Sequence, residues 1–156
     1  MITEDINTDQ CLMELESKLK KKEIWRDIIL TKEWVANIDN IAGVYVLKEK
    51  SNDKVVYVGE TGNLRERMKE LFDSRHHTIR RNIGEKKFSK EKGFEKATTK
   101  KKFPEHIECL VKQYIEEELL IAILKVPLGR KELEESIEEK IDPEYKLNKR
   151  SKRKTK

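Results

Sequence analysis

Gly43-Val44-Tyr45-Val46-Leu47-Lys48 and Lys54-Val55-Val56-Tyr57-Val58 are two β-branched, aromatic runs separated by the turn-rich Lys50-Ser51-Asn52-Asp53. They predict a β-hairpin. Strand alternation puts Tyr45 opposite in face to Val44 and Val46, and Tyr57 opposite in face to Val56 and Val58, so the valines can build a core. Centring the hairpin on Ser51 pairs Tyr45 directly with Tyr57 and sets two phenols side by side on one face. Gly59 then spares the chain a side chain at the turn into the next element.

Working outward, Asn63 is a helix N-cap with Glu66 three residues on, and Leu64, Met68, Leu71 and Phe72 form one apolar stripe. A short helix is expected from about Thr78 to Gly84, followed by an exposed Lys-rich loop from Glu85 to Lys102. Ile107, Leu110, Val111 and Tyr114 recur at helical spacing, whereas Leu119 to Val126 is a continuous apolar run suited to a buried strand. Pro127-Leu128-Gly129 breaks the chain before a helix from Arg130 to Ile141, which Pro143 stops. On the other side, Leu12, Leu15 and Leu19 predict a peripheral helix from Thr8 to about Lys22, and residues 24–38 are a core-seeking lead-in, partly helical. The expected fold is α/β (α+β): a small, mainly antiparallel three-stranded sheet flanked by helices. Residues 1–40 form a helical lead-in packed on the core, 41–148 the main domain, and 149–156 a basic flexible tail.

The chain has 156 residues, enough for one hydrophobic core, and its 42% charged composition implies a heavily solvated surface. Cys11 and Cys109 are too far apart in sequence for a zinc or redox pair, and no apolar run reaches a membrane span, so a reduced, cytoplasmic protein is expected. The net charge of +5 is segregated. Residues 65–102 hold 14 Lys or Arg against 6 acids and residues 143–156 hold 7 against 1, while residues 103–142 hold 5 against 11. Segregated positive charge suits a polyanion, because each neutralised phosphate releases counterions.

Gly43-Val44-Tyr45 and Tyr57-Val58-Gly59 resemble the two defining motifs of the GIY-YIG endonucleases, with Val at both middle positions. Arg67, ten residues after Tyr57, resembles the arginine of the family's catalytic helix. Glu134, with Ile137 and Pro143 beyond it, resembles its metal-binding glutamate, and Asn148 its closing asparagine. The chain departs from many relatives at Leu71, where a His or Tyr stands four residues after the arginine; His77, in the pair His76-His77, is the closer match to a second histidine position of some members.

The resemblance implies a DNA endonuclease that hydrolyses phosphodiester bonds with one Mg²⁺ or Mn²⁺ ion held by Glu134. It implies that Tyr45 positions or deprotonates the attacking water and that Tyr57 hydrogen-bonds within the site. Arg67 would neutralise phosphoryl charge, His77 would assist, and Asn148 would brace the site. Arg65, Arg80 and Arg81, with Lys149, Arg150, Lys152 and Arg153 of the tail, are the candidate nucleic-acid contacts. Each residue has a blander reading: strand tyrosines are usually core, and Glu134 is one of five glutamates between 132 and 139, with Glu135 the competing register. A noncatalytic DNA- or RNA-binding module on the same fold is the alternative function, and a protein-interaction domain built on Trp25 and Trp34 a third. A lone site cuts one strand at a time, so double-strand cleavage requires a dimer or two encounters.

Overall fold

The hairpin forms, but two residues out of the expected register. In the computed structural model, which describes residues 8–148, strand β2 (Gly43–Glu49) pairs antiparallel with β3 (Val55–Thr61). Two local features set the offset. The turn spans four residues between Glu49 and Lys54, whose backbones bond at 2.9 Å, with Asp53 in the left-handed region at φ 60°. Further up, Lys48 faces Val55 but Leu47 faces Tyr57, so Val56 is an extra, bulged residue.

Tyr45 therefore lies across from Gly59 rather than Tyr57. A shift of two residues preserves the face, so the phenols are diagonal neighbours with ring centroids 6.1 Å apart. The bulge also corrects the valine assignment, because Val56 joins Tyr57 on its face while Val44, Val46 and Val58 pack on the other.

The glycine of the second motif has a different use from the one expected. A Cβ at Gly59 would fall 2.4 Å from the Tyr45 ring, so glycine here is the seat of the tyrosine. Gly43 is equally constrained, since a Cβ would meet the Leu124 carbonyl at 2.3 Å.

The sheet has four strands, not three, in the order β1-β4-β2-β3. The additional strand β1 (Trp25–Asp27) lies in the lead-in and pairs with β4 (Leu119–Lys125). Its three residues carry no alternation to read, and the exposed Arg26 and Asp27 suit a short, charged edge that discourages further pairing. β4 lies between β1 and β2 and is covered on both faces, which is why it reads as an unbroken apolar run.

Helices cover both faces. On the tyrosine face lie α3 (Leu64–Lys69), α4 (Thr78–Lys87) and α5 (Glu105–Glu118), contributing Leu64, Met68, Ile79, Ile83, Ile107 and Val111 to the larger core. On the valine face, α6 (Arg130–Glu139) brings Leu133 and Ile137, with Leu12 and Leu15 of α1 (Thr8–Ser17) packed behind. The short α2 (Lys32–Ala36) is capped by the Thr31 hydroxyl and seals one end. Phe72 departs from its expected stripe and is 38% exposed. The helix tightens to a 3₁₀ turn over Glu70–Phe72, and the larger angular step per residue swings the ring outward.

Candidate active site

Arg67 is positioned by a well-specified helix start. The Asn63 side-chain oxygen accepts the Glu66 N–H at 3.1 Å, as a cap should. The second half of the expected box is made differently, because the Asn63 N–H is taken by the Thr61 hydroxyl at 3.1 Å. With Leu64 and Met68 fully buried on either side, Arg67 emerges towards Tyr45.

Tyr45 is the hub. Its side chain is 2% exposed, and its hydroxyl lies 3.1 Å from His77 Nε2 and accepts from Arg67 Nε at 3.2 Å. The tautomer of His77 follows from its other nitrogen, since Nδ1 accepts the Ile79 N–H at 3.2 Å and caps α4. The proton of the neutral ring must then sit on Nε2, which donates to Tyr45. With two donors on its two lone pairs, the Tyr45 hydroxyl has to give its own proton to another acceptor. The Arg67 guanidinium is completed by Glu70 at 2.6 Å and the His76 carbonyl at 3.4 Å.

The electrostatics favour neutral groups. Burial raises the Tyr45 pKa, and the neighbouring Arg67 only partly offsets it, so the phenol stays protonated at neutral pH. Burial pushes Tyr57 well above its ordinary value, with the negative charge of a Tyr45 phenolate opposing its ionisation. His77 is fully buried, and desolvation, helped by the cations of Arg67, Arg81 and Arg80, holds it well below its usual value. Both ring nitrogens are engaged inside the protein, so His77 supports Tyr45 from behind.

Glu134 approaches from the opposite side of the sheet. The Arg130 Nε donates to Glu60, the residue after the Tyr57-Val58-Gly59 motif, at 3.0 Å, tying the first turn of α6 to β3. Glu134 follows one turn along α6, half-buried, and its negative charge reaches both phenols and raises their pKa values. Among the described residues no group of three or more His, Cys, Asp or Glu side chains is placed to hold a metal ion. A cation here would have one protein carboxylate, which fits a hard octahedral ion that keeps waters and takes substrate oxygens.

Asn148 grips the backbone rather than the site. Its Oδ1 accepts the Val58 N–H at 3.0 Å and its Nδ2 donates to the Val58 carbonyl at 2.9 Å, while the Leu147 N–H bonds the Val56 carbonyl at 2.7 Å. Those bonds satisfy the free edge of β3 around Tyr57. Leu71 is core and adds no polar group.

The expected nucleic-acid contacts need correction at α4. Arg80 is 3% exposed and forms a buried ion pair with Glu108 at 2.5 Å, so it faces inward. Arg81 spends its guanidinium on the carbonyls of Ser74 and Arg75 at 2.8 and 2.9 Å, and Arg65 Nε donates to the Ile38 carbonyl at 2.8 Å. The partners of Arg65 and Arg80 lie 27 and 28 residues away, so the sequence alone does not reveal that these cations turn inward. Glu70, the carboxylate that holds Arg67, was missed although its i, i+3 spacing from Arg67 makes it readable. Lys149, Arg150, Lys152 and Arg153 lie outside the described residues.

Comparison with known proteins supplies one match and two blanks. No curated protein and no solved structure matches the chain. The model of the GIY-YIG catalytic domain matches residues 41–121, which takes in both tyrosine motifs, Arg67 and His77 and stops short of Glu134 and Asn148. With both motifs on neighbouring strands of a four-stranded antiparallel sheet and helices on either face, the chain belongs to the GIY-YIG family of nuclease domains, phosphodiester hydrolases that in general depend on a divalent metal.

Proposed function

We propose that this protein is a DNA endonuclease that hydrolyses phosphodiester bonds with the help of one divalent cation, Mg²⁺ or Mn²⁺, held by Glu134. The observation that carries this reading is the convergence on the Tyr45 hydroxyl of His77, Arg67 and Tyr57, with the Glu134 charge acting on both phenols. A module that only binds DNA or RNA has no need to set a buried histidine and a half-buried arginine against one hydroxyl, so the catalytic reading is the stronger one.

Each residue takes a physical task. Tyr45 stays a phenol whose hydroxyl is shared with Tyr57, and it orients the attacking water, a positioning role in place of general-base chemistry. Arg67 lies against it and stabilises the charge that builds on the phosphate oxygens as water adds to phosphorus and a sugar oxygen leaves. Tyr57 packs beside Tyr45 and shares its hydroxyl, and His77 holds Tyr45 in place through a single tautomer. Asn148 keeps the Tyr57 strand edge in register. A cation on Glu134 supplies positive charge at the phosphate and a lowered pKa for water. The main domain spans residues 41–148, and the cytoplasm is the proposed setting.

Glu134→Gln tests the assignment. Metal affinity and cleavage of supercoiled DNA with Mg²⁺ should both collapse while DNA binding persists or tightens, since a carboxylate without its metal repels the backbone. Glu135→Gln is the internal control and should cut normally. Loss of cleavage only in Glu135→Gln would shift the register by one residue. Parent-like cleavage in both would remove the metal-dependent reading.

A further inference from the structure

Residues 85–102 hold eight lysines against three glutamates. Such a run is ordinarily a solvated face, and a solvated face needs no fixed shape. Here the segment beyond α4 is pinned at several points. Phe103 fills the space a Cβ would need at Gly84 of α4, and Phe94 packs on Phe103 at 5.7 Å. Ala97 and Phe103 are buried, and the His106 ring bonds the Lys92 carbonyl at 2.8 Å beside Gly93, whose φ is +78°. Thr98 closes a small turn, its hydroxyl accepting the Lys100 and Lys101 N–H groups. The apolar residues face in and the lysines face out.

Three of the eight lysines are spent: Lys86 on the carbonyls of Glu144 and Lys146, Lys87 on Glu49 and Lys101 on Glu95. Lys90, Lys92, Lys96, Lys100 and Lys102 are exposed and make no side-chain ion pair among the described residues.

We propose that this pinned lysine segment is a docking surface for the phosphate backbone of duplex DNA, gripping phosphates remote from the one that is cut. The proposal rests on the nuclease reading for its choice of polyanion. Lysine on a shaped platform offers point charges without base readout, which suits sequence-independent contact. No aromatic ring faces outward here, so the segment has no stacking platform for unpaired bases, which favours a duplex over a single strand. The large exposed apolar residues, Met13, Ile29, Ile41, Phe72 and Leu128, all lie elsewhere, so nothing in the segment would insert into a lipid surface. The ten-residue α4, with a rise of about 15 Å, leads from the His77 cap at the site to the segment at its far end.

The test compares the parent with a variant carrying Lys→Gln at 90, 92, 96, 100 and 102, and with a control carrying Lys→Gln at 18, 20, 21 and 22. Binding to a labelled 20-base-pair duplex is followed by anisotropy across a salt series without metal. The segment variant should lose about 10-fold or more in affinity, and its slope of log affinity against log salt should flatten by about 2 to 4, at about 0.9 per lost contact. The control should keep the parent slope. An unchanged slope in the segment variant, an equal drop in the control, or no duplex binding by the parent would overturn the proposal. So would a loss confined to single-stranded DNA or to phosphatidylserine vesicles. Cleavage with Mg²⁺ is scored separately, so lysine-dependent binding by a protein that does not cut would leave the surface standing and sink the nuclease reading alone.

Discussion

The cations of residues 65–81 and those of residues 86–102 are used in opposite ways. All five arginines of the first stretch point at protein: Arg65 at the Ile38 carbonyl, Arg67 at Tyr45 and Glu70, Arg75 at Asp73, Arg80 at Glu108 and Arg81 at two loop carbonyls. The second stretch carries lysine alone, mostly turned to solvent. A guanidinium can satisfy several acceptors in a fixed plane and tolerates burial, whereas an ammonium is strongly hydrated and stays out. The basic block that looks uniform in sequence thus divides into a framework half and a surface half.

The largest effect that would break this contrast is expected at Arg80. Arg80→Met leaves Glu108 buried without its cation and should destabilise the fold by about 3–5 kcal/mol in chemical denaturation. The salt slope of DNA binding by the folded fraction should not change. A flattened slope would put Arg80 on the DNA surface after all.

Next come the two residues that meet at the site. Tyr45→Phe and Arg67→Ala should each lower cleavage by at least about 10²-fold in single-turnover assays. Tyr45→Phe should also cost about 1–3 kcal/mol of stability, because it strands the buried His77 N–H. Cleavage within a few fold of the parent by either variant would take that residue out of the site.

A smaller, pH-dependent effect belongs to His77. Its folded pKa lies well below the ordinary 6.5, so the unfolded chain takes up a proton that the folded chain refuses. Its contribution is fully present above pH 6.5 and is lost as the pH falls below that value. Thermal melts should show Tm falling below this point, and His77→Gln should flatten the fall. An equally steep decline in the variant would assign the acid sensitivity to other groups.

The smallest effect is expected at Glu70. Its pair with Arg67 is half-exposed and worth about 0–1 kcal/mol, so Glu70→Gln should fold like the parent. It should lower kcat by about 3- to 10-fold with KM little changed, since the guanidinium loses its anchor and not its charge. A rise in KM alone would mean that Glu70 acts on binding instead.

Much of this was legible in the residues themselves. Alternation in Gly43–Lys48, the Asn63 cap and the unbroken run from Leu119 each encode a local structure, because periodicity and capping depend on neighbours in sequence. The shared face of Tyr45 and Tyr57 was legible for the same reason. Their register was not, because a bulge at Val56 satisfies packing on both sides of the sheet and leaves no local mark. Strand β1 was hidden too, since three residues exist as a strand only once β4 is beside them.

What the sequence by itself determined, then, is the paired motif strands, most of the helices and the family to which they belong, because each is written in neighbouring residues. Tertiary structure alone decided that Gly59 seats the Tyr45 ring, that His77 is a neutral donor behind it, and that Arg80 belongs to Glu108. These are contacts between residues 14 to 32 positions apart, and burial, which sets both protonation and partner choice, is a property of the assembled core.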